Sequence, residues 1–317
     1  MTAGVPGGED FKEKSVFMSR LIDPMEPMEY INHPNEVLRL LRYFVRPQMD
    51  PAERIAPEYS ADPSLGVVIS TYGSIPFLDL NLHYLVRVNH LRVLIHDDCS
   101  PRRDELIALC RAYSPYVDLY STAERMWHRE KIGVIGDTNS FLVGLQWAHQ
   151  NGFELLLKLS RRMVALKEFA PSLKRLAVES DAFTFGSYCE SDDFPLRTEC
   201  VAMCVRAWCH PFPLNQLNTM VQAKLPVFAE YWFHDLARML AYANSSERFR
   251  RYTDAHRIGA AHNGFVLWND LMGSDRYTPT PGALWHNSNP VEDYYHAARQ
   301  VFGERYSLDD FRGIEMF

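Results

Sequence analysis

The chain has 317 residues, 47% hydrophobic and 23% charged, which allows one large domain with extensions or two modest ones around a real core. Its net charge of -7 and pI near 5.9 argue against broad binding to nucleic acid or anionic membranes, so any anion site must be local. No apolar run approaches the roughly 20 residues that span a bilayer, and Met1 to Asp10 lacks a basic stretch followed by an apolar core. A cytoplasmic protein without signal peptide or transmembrane segment is expected.

Residues 1–64 read as an arm: Pro, Met and charged residues dominate, and a helical stripe (Leu38, Leu40, Leu41, Phe44) covers Asn35 to Val45. Pro47, Pro51, Pro57 and Pro63 then break the chain. From Leu65 the pattern changes. Gly66 to Tyr72 is a β-branched run with a polar end, and Phe77, Leu80, Leu82 and Leu85 predict a helix over Pro76 to Arg87. A second strand, Leu91 to His96, ends at Asp97-Asp98-Cys99-Ser100-Pro101. A helix (Pro101 to Tyr113), a short strand (Val117 to Tyr120) and a helix (Thr138 to Gln150) follow.

Asn151-Gly152 then launches Leu155 to Leu159, an apolar run short enough for a strand buried on both faces. It stops at Ser160-Arg161-Arg162. Beyond it the pattern predicts a strand at Ala182 to Tyr188, a strand or helix at Glu199 to Cys209, and helices at Phe228 to Tyr242 and Val291 to Phe302. Alternating strands and helices imply an α/β fold with a mainly parallel, Rossmann-like sheet. The expected organisation is an arm (1–64), a nucleotide-binding core (65–212) and an acceptor-side helical and aromatic region (213–317).

In such a sheet the strand ends Ser70-Thr71-Tyr72 and Asp97-Asp98 converge on one crevice. A carboxylate there can accept from a nucleobase N–H or ribose hydroxyls, and Tyr72 can stack on a base. The plainer reading of Asp97 to Pro101 is helix capping, since Ser100 before Pro101 suits an N-cap. No Gly-x-Gly-x-x-Gly or P-loop pattern occurs, which disfavours a dinucleotide cofactor or a P-loop nucleotide. Six cysteines contain no Cys-x-x-Cys pair. Cys200, Cys204 and Cys209-His210 allow a zinc site, with buried core thiols the favoured reading. His256, His262, His286 and His296 lack metal-ligand spacing and read as loop histidines.

Val67-Val68-Ile69-Ser70-Thr71-Tyr72, then Leu94 to Ser100, then Gly144-Leu145-Gln146-Trp147-Ala148 before the buried strand resemble the family 2 glycosyltransferases of the GT-A fold. The resemblance covers about Leu65 to Ala170. It implies a nucleoside diphosphate-sugar donor, an unknown acceptor and inverting transfer. It places nucleotide contacts on Ser70, Thr71, Tyr72, Asp97 and Asp98. The family's Asp-x-Asp metal motif would fall at Ser160-Arg161-Arg162, where both carboxylates are missing. Arginines can bind phosphate through charge-assisted, often bidentate hydrogen bonds. Lys158, Arg161 and Arg162 are therefore expected to hold the phosphates, with no metal or other cofactor. An inverting transferase also needs a general base. Asp235 and Glu230 rank first, amid aromatics suited to an acceptor pocket, with Asp192, Asp193 and Asp254 behind. The alternative is an inactive nucleotide-sugar-binding or scaffold protein on the same fold.

Overall fold

The computed structural model describes residues 54–73, 75–126, 134–161, 163–186, 196–223, 229–255, 264–268, 284–286 and 290–312. The helix expected at Asn35 to Val45 lies outside them. Four strands, β1 (Leu65–Thr71), β2 (Arg92–Asp97), β3 (Val117–Ser121) and β4 (Leu155–Ser160), pair in parallel. Three shorter ones extend the sheet: β6 (Thr184–Gly186), β7 (Cys200–Cys204) and β8 (Val266–Leu267). The seven-stranded order is β3-β2-β1-β4-β7-β6-β8. β7 runs antiparallel to both β4 and β6, so the sheet is mixed but mostly parallel. A separate ribbon pairs β5 (Met163–Ala165) with β9 (Leu284–His286).

Period-two alternation decides what each face of the sheet carries. Val67, Ile69, Val93, Ile95, Leu157 and Leu159 share one core. It is covered by α1 (Ile75–Leu82), α2 (Arg103–Ala112) and α4 (Ala170–Ser180). Val68, Leu94 and Leu156 point the other way, into a core shared with Phe141, Leu142 and Leu145 of α3 (Val134–Gln150). Behind α3 lie α5 (Val205–Trp208), α6 (Pro211–Ala223) and α7 (Ala229–Ala243), followed in the chain by α8 (Glu247–Ala255). Both faces are covered, which is why these strands read as continuous apolar runs. The stretch Glu199 to Cys209 proves to be both candidates in turn, β7 and then α5.

Two anchors tie the segment before β1 and the last described helices to the core. The Glu154 carboxylate accepts from the backbone N–H groups of Ser60 and Ser64, at 2.5 and 2.9 Å, fastening the segment before β1. Fully buried Asp79 on α1 accepts from the hydroxyls of Tyr113 and Tyr306, both at 2.6 Å, and pairs with Arg305 at 3.0 Å. That cluster docks α9 (Val291–Phe302) and α10 (Leu308–Arg312) on α1, where Phe77 meets Tyr294 and Phe311 edge to face. No helix among the described residues is long and apolar enough to cross a membrane.

α3 approaches β1 closely because Gly144 lacks a side chain. A Cβ there would lie 2.6 Å from Val68 Cγ1. Gly144→Ala gains roughly 1 kcal/mol of helix propensity but overpacks a buried branched side chain. We expect a net loss of about 1–2 kcal/mol in denaturant unfolding, relieved by the second change Val68→Ala. A Gly144→Ala protein as stable as the parent would show that α3 can lift off the sheet without penalty.

Candidate functional site

Chain order and spatial order part company between β1 and β4. The chain steps outward from β1 through β2 to β3, then returns across α3 to lay β4 on the other side of β1. At such a switch point the connections leave in opposite directions and open a crevice outside the carboxyl ends of the strands. The residues at this edge are Ser70-Thr71-Tyr72, Asp97-Asp98 and Ser160-Arg161.

On the α3 face, register lines up His96, Ser70 and Ser160 across β2, β1 and β4. The first turns of α3 supply their polar partners. Asp137 Oδ1 accepts from Ser70 Oγ at 3.2 Å and from Lys158 Nζ at 2.5 Å. The Lys158 side chain has no exposed surface, whereas Asp137 is 25% exposed. The ammonium also donates to Thr198 O at 3.0 Å and stands 4.7 Å from the Phe141 ring centroid. Asn139 Nδ2 lies 2.8 Å from His96 Nε2, and Tyr120 stacks on the same imidazole. Burial holds the His96 pKa down to about 4. The ring is therefore neutral at physiological pH, with Nε2 accepting from Asn139.

The Asp97-Asp98 pair divides its labour. Asp97 has no exposed surface, and both its oxygens receive the Ser100 N–H, at 3.1 and 3.3 Å. Burial raises its pKa above the usual carboxylate value, against the lowering effect of the Ser100 and Ser121 hydrogen bonds. Placing Asp97 among the nucleotide contacts is thus corrected: it fastens the turn into α2. Asp98 sits at the crevice edge, where Oδ1 accepts from Met126 N–H at 2.7 Å and Thr122 Oγ1 at 3.3 Å. These bonds fold the segment after β3 over the end of β2. That segment sets the Arg125 guanidinium 3.8 Å from the Tyr72 ring centroid, a cation–π stack. Gly136 of α3 leaves room for the other oxygen, since a Cβ there would stand 3.2 Å from Asp98 Oδ2.

On the opposite face, Arg161 and Thr71 line a small recess with Ile69, Phe77, Leu78 and Asn81. Asn81 is committed to structure, donating to Met163 O and accepting from Ala165 N–H, both at 2.8 Å. Lys158 was grouped with the arginines as a phosphate ligand, but alternation turns it inward, and its ammonium belongs to Asp137 and Thr198. Ser70, Thr71, Tyr72, Asp98 and Arg161 lie at or just beyond the carboxyl ends of β1, β2 and β4. Arg162 lies outside the described residues.

Asp235 is on α7, 4.0 Å from Arg238. The Glu230 side chain, Asp192 and Asp193 lie outside the described residues, as do His256, His262 and the His286 side chain; Asp254 is exposed on α8. His234, one helical turn beyond Glu230, is buried, and that burial lowers its pKa to about 4.

A GT-A-type metal does not fit the residues at the end of β4. Ser160 and Arg161 offer no carboxylate, and a guanidinium repels a cation. Among the described residues no three His, Cys, Asp or Glu side chains are grouped to hold a metal ion. Cys200 and Cys204 are buried in β7, and burial pushes the Cys200 thiol up to about 12. Residues missed from sequence are Asp137, Asn139 and Arg125. The polar cluster Asp137-Thr138-Asn139, just ahead of an apolar helix, was the available signal.

No family model and no curated protein matches the chain. Among solved structures, residues 1–349 of S. aureus TarS in complex with UDP are similar at 13% identity and a TM-score of 0.37, over 63% of this chain and 71% of that one. The apo glycosyltransferase GlyE of Streptococcus pneumoniae TIGR4 is similar at 10% identity and a TM-score of 0.44, over 79% of this chain and 62% of GlyE. The mannosyltransferase PcManGT from Pyrobaculum calidifontis, in complex with GDP-Man and Mn2+, is similar at 13% identity and a TM-score of 0.37, over 90% and 82%.

Proposed function

We propose that the protein is a glycosyltransferase that binds a nucleoside diphosphate-sugar in the β1/β4 crevice. It transfers the sugar to an acceptor hydroxyl by in-line, inverting displacement, with arginine in place of a metal ion. The observation that carries this reading is the order of side chains along the strand ends. Asp98 and Tyr72 with Arg125 stand over β2 and β1, and Arg161 stands at the end of β4. Adjacent strands are about 4.8 Å apart, so the crevice runs about 10 Å from β2 to β4, the scale of a nucleoside joined to its diphosphate. An aromatic face and a carboxylate suit the base; guanidinium suits the diphosphate.

In the reaction, charge builds on the departing nucleoside diphosphate, and Arg161 and Arg162 are proposed to stabilise it by charge-assisted hydrogen bonds. The general base is proposed among the α7 carboxylates, Asp235 and Glu230. α7 packs on α3 through Phe233 and Phe141, with ring centroids 3.8 Å apart.

Donor turnover, read as nucleoside diphosphate release from a panel of UDP- and GDP-sugars, is expected to persist in excess chelator. Activity that disappears with chelator and returns with manganese would overturn arginine-for-metal replacement. Donor binding with no release to water or to any acceptor would instead establish a nucleotide-sugar-binding protein.

A further inference from the structure

Asp137 holds a position that the donor-site reading leaves unused. Its Oδ1 is fixed twice, by the buried Lys158 ammonium and by the Ser70 hydroxyl. Its Oδ2 makes no hydrogen bond to any described residue, although the side chain is 25% exposed at the carboxyl ends of β1 and β4. A carboxylate paired to an ammonium is an acceptor, and an oxygen that water can reach in a binding crevice can exchange that water for a donor on the ligand. Phosphate oxygens are excluded by like charge. Nucleobase N–H groups are assigned to Asp98, at the β2 end, which leaves hydroxyl groups.

The strand order says which hydroxyls. Asp98 marks the β2 end and Arg161 the β4 end, and Ser70, which Asp137 grips, lies on β1 between them. Between a base and a diphosphate lies the ribose. We propose that Asp137 is the ribose-reading residue of the donor site, its Oδ2 accepting from a ribose hydroxyl while Lys158 and Ser70 hold the carboxylate still. This rests on the nucleoside diphosphate reading above and deepens it. Rigidity matters here, because a carboxylate fixed before the ligand arrives loses little side-chain freedom on binding. The Lys158 ammonium also balances the negative charge so near a site built for diphosphate.

The test compares UDP, GDP and ADP with their 2′-deoxy and 3′-deoxy forms by titration calorimetry. The parent protein should bind its preferred ribonucleotide at least about tenfold more tightly than one of the two deoxy forms, as for a hydrogen bond to a charged group. Asp137→Asn keeps the acceptor toward Lys158 but places an NH2 group where Oδ2 was, and the ratio should fall to about twofold or less. Asp137→Ala/Lys158→Met removes both charges together and should show the same loss, which covers the case in which Asp137→Asn does not fold. A merely structural role would leave the ribose-to-deoxyribose ratio in place while lowering stability. An undiminished ratio in these variants, or a parent indifferent to both ribose hydroxyls, overturns the proposal and leaves nucleotide binding intact. A parent that binds none of the three diphosphates overturns the donor-site reading and this proposal with it.

Discussion

Asp137→Ala should destabilise the protein by about 3–5 kcal/mol, while Lys158→Met should be much milder and the double variant should recover most of the loss. The asymmetry follows from burial. Lys158 has no exposed surface and Asp137 is 25% exposed, so removing the acid strands an ammonium in the interior whereas removing the amine leaves a carboxylate that water can reach. The other neighbours of the ammonium, the Thr198 carbonyl and the Phe141 ring 4.7 Å away, cannot replace a full negative charge. Met has nearly the length of the Lys stem and can fill the same channel beside Phe141. Urea unfolding of the four proteins gives the cycle directly, and salt should change it little because buried pairs are weakly screened. If Asp137→Ala unfolds within about 1 kcal/mol of the parent, Lys158 has another counter-charge and the site's α3 face is wired differently.

The strands that build the crevice were plain in the chain because each is buried on both faces. Leu155 to Leu159 and Val67 to Ile69 leave no polar residue on either side to blur them, save Lys158. That one residue was misread. Counting back by two from Ser160 puts Lys158 on the face that carries Leu156 and Val68, inside the fold, and Arg161 on the other. The helix α4 went unread although Pro171 stands in its first turn and Asp181 closes it in the left-handed conformation. Its apolar residues Leu173, Leu176 and Ala177 were hidden within a longer apolar texture. Short antiparallel β6 and β7 carry too few residues to show a period, and their pairing is decided by sheet partners far off in sequence. The strand-end positions of Ser70, Tyr72, Asp98 and Arg161 were legible because each ends or follows a recognisable strand. Asp137, Asn139 and Arg125 reach the same place from a helix and a loop, so only the folded chain brings them there.

The second large effect belongs to Arg161. Arg161→Ala should weaken binding of a nucleoside diphosphate by about 30-fold or more, close to 2 kcal/mol, yet change binding of the bare nucleoside by less than about twofold. The selectivity follows from where the side chain is rooted. Arg161 follows β4 directly and lines a small recess with Ile69, Thr71, Phe77, Leu78 and Asn81. Base contacts are assigned one and two strands away, over β1 and β2, and do not depend on it. Arg161→Lys should recover only part of the loss, because an ammonium keeps the charge but not the paired, planar donors that match a phosphate edge. Arg162→Ala should act in the same direction, and the contribution of both should shrink as ionic strength rises, since diphosphate bound in an open crevice is screened. Equal losses for nucleoside and diphosphate would mean that Arg161 shapes the crevice without meeting the phosphates. No loss for either would return both arginines to the surface and leave the departing diphosphate without its proposed counter-charge.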